Sequence, residues 1–422
     1  MSRKKYSLNL SCGQTDIYPQ ALMEMGRQLQ TPIYYPPYWE TELACIHSLQ
    51  KLMHTQNEIM LMVGTATYGE EAAMNSLLEP GDELVTINTG VFGQVLTDLA
   101  RVVGGQPYEI VRPAGESVSV EEVRQALKEH PKARMVAVVH VETSRGTVNP
   151  IDKIGKMLRA EFPQVLYLVD AVSGLGAAEL RLDEWNVDLC CTSSQKAANA
   201  PQGVAIVAVS PRSWKAMEGR KTPIHGLCLD LITWRRYHST VQNSLSSWSK
   251  AAAPAAKVDA SITAYKAAHG PSPSWVLVKA LKASLDEILE EGEENVLRRH
   301  RLAAKALRAG VRAMGLGVLA SEENAAPDAT CIIIPTDSFD VRKYMSIMWE
   351  EHGIATAGGS GSAKEQGYAG SRVGTMGFVA APESVYALLA AMEQVLTHMG
   401  YGQALKPGKA LPAAQAVFAQ GA

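Results

Sequence analysis

From about Glu58 to Val209 short apolar runs alternate with stretches whose apolar residues recur every three or four positions, and this alternation constrains the fold more than any other feature. The runs are EIMLMV (58–63), ELVTIN (83–88), QPYEIV (106–111), MVAVVHV (135–141), VLYLVD (165–170), VDLCCT (187–192) and GVAIVAVS (203–210). Segments such as VSVEEVRQALKEH and IDKIGKMLRAEF lie between them and read as amphipathic helices. Strands joined by crossover helices form a sheet covered on both faces. The region is therefore predicted to be a large, mostly parallel α/β sheet.

Downstream the pattern changes. Residues 243–270 are rich in Ala and Ser, contain one internal Pro, and show no strand-like run. A long helical pattern spans about Ser274 to Met314 with an interruption near Gly292. Short strand candidates GLGVLA (315–320), ATCIIIP (329–335) and IATAGG (354–359) then mix with helices at 340–353 and 382–400, the pattern of a smaller α+β domain. The expected organisation is an N-terminal segment (1–20), a large α/β domain (21–285) carrying an insertion (239–270), a small C-terminal α+β domain (286–400) and an Ala-rich tail (401–422).

Composition excludes several partners. With 40 basic and 43 acidic residues the net charge is −3, so no electrostatic footprint attracts nucleic acid or an anionic membrane. No run approaches the roughly 18 apolar residues needed to span a bilayer. The N-terminus, MSRKKYSLNLSCGQ, lacks the apolar core of a signal peptide, and the six cysteines form no CxxC or metal-ligand cluster. A cytoplasmic protein with reduced thiols and no bound metal is expected.

In an open parallel sheet ligands collect at the carboxyl ends of the strands, and three strand ends carry suitable chemistry. Thr65, Ala66 and Thr67 follow the first run and open a helix, so free N–H groups and hydroxyls converge on a seat for phosphate. An ordinary capped helix start reads the same way. Asp170 ends VLYLVD; a carboxylate there must be paired or ligand-bound, and a helix cap competes with a ligand as the explanation. Lys196, in CCTSSQKAANAPQG, follows another buried run among small uncharged residues. Such a lysine either loses hydration and becomes a nucleophile or snorkels to the surface.

A phosphate seat, a carboxylate and a reactive amine on successive strand ends together describe the requirements of pyridoxal phosphate. The chain also resembles the class V aminotransferases of fold type I over roughly residues 10–400. The matching segments include CGQTDIYP, LEPGD (78–82), NTGVFGQ (88–94), HVETSRGTVNPID (140–152), VDAVSGLG (169–176), SSQKAANAPQG (193–203) and SRVGTMG (371–377). The resemblance is closest to alanine–glyoxylate and pyridoxamine–pyruvate aminotransferases. It implies that Lys196 is the Schiff-base lysine, that Asp170 partners the pyridine nitrogen, and that Phe92 lies over the ring. It further implies that Thr65, Ala66, Thr67 and Gln195 hold the cofactor, that Thr143 lies near the ring hydroxyl and substrate, and that Arg372 receives the substrate carboxylate. A homodimer that transfers an amino group to pyruvate or glyoxylate by a ping-pong mechanism follows from the same resemblance.

The chain departs from the family pattern in places. The phosphate loop reads TAT where relatives often have Gly and His, and Thr375 stands where many have His. About 30 residues intervene between Ser239 and Gly270, next to the YHST (237–240) that offers the Tyr and Thr with which many relatives reach the neighbouring subunit. A lyase or decarboxylase using the same lysine and aspartate is the alternative. A desulfurase is disfavoured because ATAGGSGSAKEQG (355–367) has no cysteine, and a DNA-binding sensor because neither chain end is long or basic enough. His140 reads as a structural histidine, and Cys190 and Cys191 as packing residues.

Overall fold

The computed structural model describes residues 7–28, 35–239, 274–334, 339–358 and 370–421. The insertion beyond Ser239, Thr240 of the YHST segment and the loop from Gly359 to Gly367 lie outside the described residues.

The chain enters through a two-residue strand, β1 (Leu8–Asn9), and two helices, α1 (Pro19–Gly26) and α2 (Pro36–Leu52). Both helices start on Pro, whose fixed φ and missing N–H suit a first turn. The predicted alternation then follows: β2 (Glu58–Val63), α3 (Ala66–Leu77), β3 (Glu83–Asn88), α4 (Val91–Val102), β4 (Gln106–Val111), α5 (Val120–Glu129) and β5 (Met135–Val139). Helix α5 begins with a capping box in which Ser119 and Glu122 satisfy each other's backbone N–H groups. A small hairpin, β6 (Val141–Glu142) and β7 (Thr147–Val148), precedes α6 (Ile151–Glu161), β8 (Leu166–Asp170), β9 (Leu189–Ser193), β10 (Val204–Val209), α7 (Pro211–Glu218) and α8 (231–239).

Seven strands form one sheet in the order β2-β10-β9-β8-β5-β3-β4, parallel except for β10, which runs antiparallel to both neighbours. Alternate side chains of each strand feed different cores. Ile59, Leu61, Val85, Ile87, Val136 and Val138 pack on one face, whereas Met60, Met62, Leu84, Met135, Ala137 and Val139 pack on the other. With period-two alternation and helices on both faces, the strand interiors read as continuous apolar runs.

The run at 135–141 is interrupted at His140. Its N–H donates to the Asp170 carbonyl at 2.7 Å, the last bond of the β5–β8 pairing, and its carbonyl turns instead to Asn149 N–H at 2.8 Å, where the chain enters the hairpin.

The long helical pattern divides at Gly292, whose φ of 87° ends α9 (Trp275–Glu291) and starts α10 (Glu293–Ala313). α9 packs into the large core and α10 into a second core. Here β11 (Gly317–Val318), β12 (Ala329–Ile333), β14 (Ala357–Gly358) and β15 (Gly370–Gly374) form an antiparallel sheet, covered by α11 (Val341–His352) and α12 (Pro382–Leu396). Strand β13 (Ile354–Ala355) instead pairs in parallel with β1. The final helix, α13 (Ala410–Gln420), buries Ala410 and Ala414 in this second core.

One buried polar cluster ties α2 to α8. Tyr237 donates to Glu42 Oε2 at 2.9 Å, and His238 Nδ1 lies 3.3 Å from Glu42 Oε1. His238 Nε2 accepts from Leu61 N–H, and burial pushes the ring down to about 3, so a neutral imidazole carrying its proton on Nδ1 fits both contacts. Burial pushes Glu42 up to about 7. A carboxyl held above its unfolded value favours the folded state at low pH, and this contribution is lost as the pH rises through the folded pKa. Glu42→Gln cannot titrate there. Between about pH 5 and pH 8, wild type is expected to lose on the order of 3 kcal/mol relative to this variant in urea-melt stability. Parallel pH profiles for the two proteins would refute this.

Candidate active site

The parallel strands and β9 point the same way, so the ends of β2, β3, β5, β8 and β9 meet along one edge of the sheet. That edge brings together Thr65 and Thr67 (after β2), Phe92 (after β3), Thr143 (after β5), Asp170 (end of β8) and Lys196 (after β9).

Lys196 is held from inside. Its relative exposure is 8%, and its Nζ donates to the Cys12 carbonyl at 2.5 Å. Thr15 fixes the loop by donating from N–H to the Gln195 carbonyl at 3.0 Å and from Oγ1 to the Lys196 carbonyl at 2.8 Å. Asn199, at φ 50°, closes the following turn by donating its N–H to the Lys196 carbonyl. Burial lowers the amine's pKa. The charges of Cys12, Asp328 and Asp170 oppose that effect, whereas Arg372 adds to it.

Asp170 is also buried, and its Oδ1 accepts from Val172 N–H at 2.8 Å. Burial pushes this carboxyl upward. The Val172 bond and Lys196 oppose the shift, and Glu142 reinforces it. Glu70, on α3, is raised by its own burial and by the charge of Asp170. Gln195 lies beside Lys196 with its Oε1 buried and without a hydrogen-bond partner among the described residues.

Glu142 organises the neighbouring strand ends. Its Oε2 accepts from the N–H groups of Phe92 and Gly93 at 3.0 and 3.1 Å, capping α4, while Oε1 accepts from Ser144 N–H and Oγ. A Cβ on Gly90 would lie within 2.7 Å of Glu142 and Ser144, so only glycine admits this approach. The Phe92 ring, anchored by its backbone, remains 37% exposed, whereas Thr143 is buried. At the start of α3 the exposed Thr65 and Thr67 flank the buried Ala66. No acceptor binds the Ala66 or Thr67 N–H among the described residues, leaving an anion seat at the helix N-terminus.

Arg372 comes from the small sheet, on β15 opposite Cys331 of β12 and Ala357 of β14. Its Nε donates to the Gly358 carbonyl at 2.8 Å, and its terminal nitrogens have no hydrogen-bond partner among the described residues. An apolar plug of Cys12, Ala197, Ala329 and Met376 joins the two sheets beneath it. The description of the class-V aminotransferase family matches residues 45–381, most of the chain. The chain belongs to the class-V aminotransferases.

Among similar proteins, this aminotransferase is 31% identical to an uncharacterized aminotransferase of Methanocaldococcus jannaschii, the match covering 84% of each chain. It is 29% identical to the pyridoxamine–pyruvate transaminase of Mesorhizobium japonicum, with 97% of this chain and 96% of that protein covered. The crystal structure of the ureidoglycine–glyoxylate aminotransferase of Bacillus subtilis superposes with a TM-score of 0.85 at 28% identity, covering 99% of both chains.

Sequence reasoning missed several residues that surround Lys196 in this aminotransferase. The Cys12 carbonyl and Asp328 arrive from distant segments, Glu142 sits inside a matched segment without having been singled out, and Glu70 lies on α3 outside the matched segments. One signal for Asp328 was available: a charged side chain directly before the apolar run of β12. The Cys12 interaction uses a backbone atom, which residue type does not reveal.

Proposed function

We propose that the aminotransferase binds pyridoxal phosphate at this sheet edge and transfers an amino group from an amine or amino-acid donor to pyruvate or glyoxylate. The observation that carries the reading is a buried amine and a buried carboxylate at the ends of adjacent strands, Lys196 after β9 and Asp170 on β8. The residues present fit the group. Open N–H groups and hydroxyls at the start of α3 suit its phosphate, and the orphaned Gln195 Oε1 offers an acceptor near the lysine. Asp170 suits a ring nitrogen that must stay protonated, and the exposed Phe92 face suits a flat heterocycle.

Bound there, pyridoxal phosphate supplies an aldehyde that carries the amino group and a ring that accepts negative charge. The protein supplies the rest. Lys196, with its amine partly desolvated, would take the proton from the substrate Cα as a base and then, as an acid, give it up to the cofactor's former aldehyde carbon. Asp170 holds a proton on the ring nitrogen by its negative charge. Arg372 grips the substrate carboxylate with its two terminal nitrogens, and its Nε bond to Gly358 fixes the plane of the fork. The acceptors pyruvate and glyoxylate are supported by the relatives named above. A homodimer located in the cytoplasm belongs to the same reading, and no helix among the described residues is long and apolar enough to cross a membrane.

Absorbance titration of the purified protein with pyridoxal phosphate and then with a panel of amines tests the proposal. Conversion of the cofactor band by an amine, with alanine or glycine formed from the oxo acid, is the expected result. Release of ammonia or carbon dioxide without that product would instead identify a lyase or decarboxylase. Arg372→Lys keeps the charge but loses the planar fork, so KM for the oxo acid should rise about 10- to 100-fold with a smaller change in kcat. An unchanged KM would remove Arg372 from the substrate site.

A further inference from the structure

Asp328 is a carboxylate close to Lys196 to which the chemistry above gives no task. It is fully buried at the entry to β12, and neither carboxylate oxygen has a hydrogen-bond partner among the described residues. Leaving a buried carboxylate unpaired is expensive, so its retention points to a cation that compensates it. The charge that acts on it is the Lys196 amine, and Asp328 acts on Lys196 in return.

The backbone explains how residues so far apart in sequence meet. The Asp328 carbonyl accepts from Thr375 N–H at 2.8 Å, and the next residue, Ala329, pairs with Gly374. Gly374 N–H in turn donates to the Leu10 carbonyl at 2.8 Å, two residues before the Cys12 carbonyl that receives Lys196 Nζ. Strand β15 therefore ties together the N-terminal segment that carries the neutral acceptor and the entry to β12 that carries the anion.

We propose that Asp328 is a positioning residue, the counter-ion that holds the Lys196 ammonium against the Cys12 carbonyl whenever the amine is not bonded to the cofactor. The inference rests on the role given to Lys196 above. A lysine that has just taken the proton from Cα is an ammonium ion inside a buried site, and Asp328 stabilises that form. Burial pushes the carboxyl up to about 7, and the Lys196 charge pulls it down, so the carboxylate form depends on the lysine's being charged.

The test titrates Lys196 in the full-length protein freed of cofactor, following the carbon-13 shift of its labelled Cε and assigning the signal with Lys196→Met. Cys12, Asp170 and Arg372, the other groups acting on the amine, remain in every variant compared with wild type. Asp328→Asn should increase the acid dissociation constant of the ammonium at least about tenfold, and Asp328→Glu should restore it in large part. A purely structural role would alter melting temperature and leave the titration of Lys196 in place; that result would overturn the proposal. Should Asp328→Asn fail to fold, the reciprocal measurement applies, in which the Asp328 carboxyl of labelled protein must titrate at higher pH in Lys196→Met than in wild type. No movement there would equally overturn it. Borohydride trapping of pyridoxal phosphate on Lys196 tests the underlying reading separately, so its failure and the failure of the ion pair are distinguishable.

Discussion

Lys196→Ala should lower transamination by about 10⁴-fold, the upper range of what one positioned acid–base group contributes, and should abolish covalent capture of the cofactor by borohydride. The fold should survive. Among the described residues the amine makes one hydrogen bond, to Cys12, and its burial disfavours its charged form, so its removal deletes an unfavourable term along with a favourable one. The loop around it is held by backbone and by other side chains: Ser194 Oγ donates to the Pro201 carbonyl, Ala200 N–H to the Ser194 carbonyl, and Asn199 N–H to the Lys196 carbonyl. A folded variant with turnover down about 10⁴-fold is the expected outcome. Turnover within tenfold of wild type would take the lysine out of the mechanism.

Asp170→Asn should reduce kcat by about 10²–10³-fold, the cost typical of losing one preorganised electrostatic group, while leaving the shape of the site in place. The amide oxygen of Asn can still accept from Val172 N–H, so the change removes charge more than geometry. The pH dependence of stability gives a second readout. Burial raises the Asp170 carboxyl in the cofactor-free protein, so the folded state binds this proton more tightly than the unfolded state. Wild-type stability falls as pH rises from the unfolded carboxylate range through the raised folded value, and the variant lacks that fall. Above neutral pH, cofactor-free Asp170→Asn should thus be at least as stable as wild type in a denaturant melt, although it is much the poorer catalyst. A marked loss of stability there would make Asp170 a structural residue.

The strands of the large sheet could be read from the sequence because burial on both faces leaves a dense apolar signature, as in MVAVV and VAIVAV. Asp170 and Lys196 stood out for the same reason, since charge directly after such a run is conspicuous. The hairpin at His140 was invisible because it is marked by a hydrogen bond from Asn149 N–H to the His140 carbonyl, a backbone event with no residue signature. Asp328 lies 132 positions from Lys196 by number, and only the antiparallel pairing of β12 with β15, together with the crossing of residues 10–12, brings it near. Local pattern thus located the groups on the parallel strand ends, and tertiary pairing decided what surrounds them.

The seat of the Lys196 amine has a consequence for how the protein is made. Residues 8–12 are placed by contacts with Ile354, Ala355 and Gly374, which are synthesised roughly 345 residues later. At 5–20 residues per second the first strand waits roughly half a minute for its partner, while the sheet between them can already have assembled. A truncated or stalled product can therefore own every strand of the large sheet and still lack the segments that set the Cys12 carbonyl against its reactive amine.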